Sequence, residues 1–87
     1  MCTYQTERVA VTGSGKGVAA WFPLTEATIY FDHPQHAAPE HTLNIDFINP
    51  ARGPSARVAV ELSAASARSL AEAILASLPP PPPLGGS

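Results

Sequence analysis

The segment Asp32 to His41, DHPQHAAPEH, holds all three histidines of the chain, together with Asp32 and Glu40. Imidazole nitrogen binds zinc, copper, nickel and iron, and a cysteine thiolate adds a softer donor. Cys2, His33, His36 and His41 are therefore candidate ligands for a transition metal, with Asp32 or Glu40 as a further oxygen donor. In an enzyme such an ion polarises a substrate or activates bound water, while an unligated histidine or Glu40 moves protons. Loss of Met1 would also free an amine beside the Cys2 thiol, so that both groups could chelate. The His-x-x-His spacing departs from the established zinc spacings, and Pro34 and Pro39 keep it off a helix. The same imidazoles can cap strand ends, or act as acid and base near neutral pH without a metal.

These residues can meet only if the elements around them converge. Thr3 to Thr12 reads as a strand, with Val9 and Val11 opposed by Arg8 and Ala10, and Gly13 to Gly17 reads as a glycine turn. From Ala27 the alternation sharpens, with Ala27, Ile29 and Phe31 on one face and Thr28, Tyr30 and Asp32 on the other. Thr42 to Asn49 sets Leu43, Ile45 and Phe47 against Thr42, Asn44, Asp46 and Ile48. A turn rich in proline and glycine, Asn49 to Pro54, leads to a fourth strand with Ala56, Val58, Val60 and Leu62 inward. Ser63 can cap a helix predicted to reach Ser77 or Leu78, where Pro79 stops it. Ala67, Leu70, Ala71, Ile74, Leu75 and Leu78 recur at helical spacing and form its apolar stripe.

Four consecutive strands with short links predict an antiparallel meander, and a C-terminal helix would cover one face. The fold class is α+β, with residues 1–78 as one small domain and 79–87 as a flexible proline-rich tail. This topology would bring Cys2, Asp32, His33, His36, Glu40, His41 and the helix start to one end of the sheet.

The outward sheet face is a second candidate site. Tyr30, Asp32, Asn44, Asp46, Arg57 and Glu61 would share it, and an Arg57–Asp46 ion pair there is consistent with a binding face and with a solvated or dimer-forming one. Such a face can bind a small polar molecule. In a site between subunits, Tyr30, Asp46 and His41 would orient a substrate for metal-free binding or isomerisation. A third reading is a non-enzymatic interaction module in which Trp21, Phe22 or Ile48 anchors another chain.

Composition narrows the partners. A net charge of -2 and a charged fraction of 14% provide no basic field, which argues against nucleic acid and anionic membranes. With 87 residues the core is near the lower limit for independent folding, so a homodimer is expected. The one cysteine allows no intramolecular disulfide, and the opening residues lack a leader pattern, so the expected location is the cytoplasm. GSGKG lacks the GxxxxGK[ST] spacing of a phosphate loop.

The opening MCTYQTE, the central YFDHPQHAAPEHTLNIDFINPARGPSARVAVEL and the helix SAASARSLAEAI together resemble a family of small actinobacterial proteins. The resemblance spans nearly the whole chain up to the proline tail. It implies a compact bacterial domain and carries no catalytic assignments. The leading expectation from the residues themselves is a transition-metal-binding protein or metal-dependent enzyme, with the small-molecule site and the interaction module as alternatives.

Overall fold

The computed structural model describes residues 6–32 and 41–82. Within them the chain forms β1 (Glu7–Lys16), β2 (Trp21–Asp32), β3 (Thr42–Ile48), β4 (Arg57–Leu62) and α1 (Ala64–Ser77), with a short 3-10 turn at Pro50–Arg52 before β4. The strands make one antiparallel sheet in the order β1-β2-β3-β4, and α1 packs against it. The α+β meander with one C-terminal helix is therefore the fold. Among the described residues no helix is long and apolar enough to cross a membrane.

Pairing follows the alternation in the sequence. Ile29 faces Ile45, which faces Val60, and Phe31, Leu43 and Leu62 form the next row, so the apolar side chains share one face. Thr28, Asp46 and Ala59 form a row on the other face, beside Tyr30, Asn44 and Glu61. A slip of one residue would exchange these two sets, which fixes the register.

The first hairpin departs from the pattern. β1 does not end at Thr12 but continues to Lys16, and the turn moves on to residues 17–20, closed by the Gly17 N–H donating to Ala20 O at 2.9 Å. β2 likewise begins at Trp21, well before the clear alternation from Ala27. The register shifts between Ala10 and Gly13, so that Val11 and Thr12 stand opposite Thr25 alone. This is a bulge, which bends and twists a hairpin. The shielded residues of β2 change parity at the same place, from Phe22 and Leu24 to Ala27, Ile29 and Phe31.

The bend carries the hairpin tip over the apolar face. A Cβ built on Gly15 would lie 3.2 Å from Val58 Cγ2 and 3.3 Å from Leu24 Cδ2, although β1 and β4 are opposite edges of the sheet. Gly15 thus serves a close approach rather than a turn, and a side chain there would press on Val58 and Leu24. Pro23 is tolerated inside β2 because β3 ends at Ile48, opposite Glu26, and leaves that side of the strand without a ladder partner. The Pro23 carbonyl turns to this side and accepts a hydrogen bond of 2.9 Å from Asn49 Nδ2.

Asn49 is the hub of this end of the sheet. Its N–H donates to Ala56 O at 3.1 Å and its carbonyl accepts from the Arg52 N–H at 2.9 Å, which closes the turn into β4. Gly53 follows at a φ of 97°, in the left-handed region where a Cβ would be strained. Phe22, Ala27 and Ala56 are the buried apolar residues among those described, and none of the described side chains is below 2 % exposed.

At the opposite end, Ser63 Oγ accepts a hydrogen bond from the Ser66 N–H at 3.1 Å and starts α1. The first turns of the helix meet the sheet in a groove lined by Phe31, Leu43, Ala64, Ala67 and Arg68. Further along, Leu70, Ile74, Leu75 and Leu78 stay exposed, so the cover is confined to the beginning of the helix.

The Asn49→Ala variant tests the tie between the two turns. It leaves the Pro23 carbonyl without its donor and is expected to cost about 1–2 kcal/mol, lowering the thermal midpoint by roughly 5–10 °C in a domain of this size. A midpoint equal to wild type by circular dichroism would show that the bond does not hold the hairpin.

Candidate functional site

On the polar face, cross-strand neighbours stand about 5 Å apart, close enough for their side chains to act together. Three rows fall in order across β2, β3 and β4: Glu26, Ile48 and Arg57; then Thr28, Asp46 and Ala59; then Tyr30, Asn44 and Glu61. Arg57 reaches diagonally to the next row. Its Nε donates to Asp46 Oδ1 at 3.0 Å, and its Nη2 lies 2.8 Å from the same oxygen. The Asp46 side chain is only 18% exposed while that of Arg57 is 54%, so the pair is half screened by solvent and is worth no more than about 1 kcal/mol. Its main effect is to hold the guanidinium down against the sheet.

Between these longer side chains, Ala59 leaves a short stub. The result is a hollow of ≈ 370 Å³ lined by Tyr30, Asn44, Asp46, Arg57, Ala59, Val60 and Glu61. Asn44 lies at its base, 5% exposed, with Nδ2 donating to Thr42 O at 3.0 Å. That bond uses the amide as a donor and leaves Oδ1 as an acceptor. Both contacts of Arg57 fall on Asp46 Oδ1, so Asp46 Oδ2 is likewise an acceptor without a protein donor among the described residues. The wall therefore offers carboxylate and amide oxygens, a phenol that donates or accepts, and a guanidinium.

Of the residues singled out from the sequence, Tyr30 and Asp46 both line this hollow. His41 does not. It stacks on Phe31, with ring centroids 5.7 Å apart and planes inclined by 16°, and Phe31 belongs to the apolar row of β2. The fold thus gathers Tyr30, Asn44, Asp46, Arg57 and Glu61, and sets His41 at the end of the sheet near the helix start. Cys2, His33, His36 and Glu40 lie outside the described residues. Among the described residues no group of three or more His, Cys, Asp or Glu side chains could hold a metal ion.

Ala59 is the residue that sequence reasoning passed over. Its signal was its size: it is the one small side chain between Arg57 and Glu61 in the outward row of β4.

Fold and hollow together define a small α+β sheet domain with a polar, ligand-sized depression on its outer face. The chain belongs to a family of unknown function, DUF6295, matched over residues 1–84. No curated protein and no solved structure matches it.

Thr42, two residues before Asn44 on the same face, is 7% exposed, and its Oγ1 has no hydrogen-bond partner among the described residues. Replacing an unsatisfied buried hydroxyl by a methyl removes a desolvation cost of about 1–3 kcal/mol. Thr42→Val is accordingly expected to raise the thermal midpoint by several degrees, roughly 4–8 °C per kcal/mol. A lowered midpoint would show that the hydroxyl is engaged.

Proposed function

We propose that this protein binds a small polar molecule in the hollow on its outer sheet face, and that it works as a cytoplasmic homodimer. The observation that carries the reading is the depression of ≈ 370 Å³ with Tyr30 and Asp46 in its wall. Its size lies in the lower range of small-molecule sites, whereas its wall is more polar than most. The acceptors Asp46 Oδ2 and Asn44 Oδ1 favour a ligand with hydrogen-bond donors, such as a small amine, amidine or amide. The Tyr30 ring can cover an apolar part of it. The homodimer is supported by the small core and by the apolar side chains left at the surface.

A metal at Cys2, His33, His36 and His41 rests on donor chemistry alone, and the stacking of His41 on Phe31 already gives that ring a contact within the fold. Elemental analysis of the full chain against a variant with alanine at positions 33, 36 and 41 decides it. Near-stoichiometric metal lost in a folded variant would displace the small-molecule reading.

The hollow itself is tested by titrating ¹⁵N-labelled full chain with a panel of small amines, amidines and amides. Saturable shifts are expected at Tyr30, Asn44, Asp46, Ala59 and Glu61. Ala59→Gln, which fills the depression without removing a polar group, is expected to weaken them at least ~10-fold, equivalent to about 1.4 kcal/mol. Shifts that map elsewhere, or that survive Ala59→Gln unchanged, would sink the proposal.

A further inference from the structure

We infer that the exposed stripe of α1, formed by Leu70, Ile74, Leu75 and Leu78, is the self-association surface of this chain and is covered by a second copy. The inference rests on the homodimer in the reading above and names the surface that makes it.

The stripe is apolar in sequence and open in the structure. Leu70 is 45% exposed, Ile74 51%, Leu75 72% and Leu78 58%. The nearest charges, Arg68 and Glu72, lie at its border and not within it. An amphipathic helix of a self-contained domain turns such a stripe to its own core. Here the groove against Phe31 and Leu43 is lined from the helix by Ala64, Ala67 and Arg68, and the larger, exposed side chains follow after them. Val60, on the apolar side of the sheet, is also 37% exposed.

Three considerations identify the occupant as another copy. Apart from Phe22, Ala27 and Ala56, no apolar residue among those described is buried, so covering the stripe would complete the core of the fold. A partner that is always present, and in matching amount, is the chain itself. A continuous stripe without charges is self-complementary, as a two-fold interface requires. The four side chains expose roughly 400–500 Å² in one protomer, so a symmetric pair would bury on the order of 1,000 Å² with the neighbouring alanines, where specific interfaces begin.

The test uses the full chain. Sedimentation equilibrium of the wild type is expected to give twice the 9.1 kDa chain mass. Leu75→Glu, at the most exposed position of the stripe, is expected to weaken the dimer at least ~10-fold, about 1.4 kcal/mol. A dimer of unchanged affinity in this variant would overturn the stripe as the interface and leave the homodimer standing. A monomeric wild type with a concentration-independent midpoint would overturn both, without bearing on the polar hollow. If the variant does not fold, amide exchange in the wild type decides the question. Protection of residues 70–78 that falls over a ~100-fold dilution supports the interface, and protection independent of concentration overturns it.

Discussion

The fold depends on bringing the β1–β2 hairpin tip across the apolar face of β4. The helix covers only one end of that face and leaves Leu70, Ile74, Leu75 and Leu78 exposed. The bulge at Val11 and Thr12 supplies the bend, and the missing side chain of Gly15 supplies clearance against Val58. Asn49 then ties Pro23 to the turn that leads into β4. Phe22 and Ala56 are buried as a consequence, at the end of the sheet away from the helix. Among the described residues the helix end has no comparable device, and the apolar stripe of α1 is exposed.

Much of this architecture was legible because one rule, alternation with a period of two, governs β3, β4 and the second half of β2. Leu43, Ile45 and Phe47 could occupy one face only, and the register with Ile29 and Val60 followed. The first hairpin was not legible for a definite reason. GSGKG has the composition of a turn, yet four of its residues pair as strand, since glycine serves a close approach as well as it serves a turn. Which role it takes depends on Val58, far away in sequence. The reach of the helix was equally hidden, because helical spacing shows that a stripe exists and not what it touches.

The candidate site divides along the same line. Strand parity puts Tyr30, Asp32, Asn44, Asp46, Arg57 and Glu61 on one face; that Arg57 reaches diagonally to Asp46 is a matter of side-chain length that parity leaves open. The depression among them depends on the shortness of Ala59 beside longer neighbours, a matter of side-chain volume that parity does not carry. His41 has a contact that strand ends do not reveal: its ring stacks on Phe31, which engages the ring face and not its in-plane nitrogens. Aromatic stacking at the end of an apolar row engages the same flat surface whatever the ring could do elsewhere.

The Asn49-Pro50 junction also affects how the molecule ages. An asparagine deamidates most readily when the backbone nitrogen of the following residue attacks its side-chain amide and closes a five-membered imide. Proline has no N–H and its nitrogen is already fully substituted, so that ring cannot close in the usual way at Asn49. The amide that holds the hairpin to the β4 turn is also sequestered from water, at 5% exposure. The side chain on which this end of the fold relies is thus placed where the common route of asparagine decay is chemically blocked.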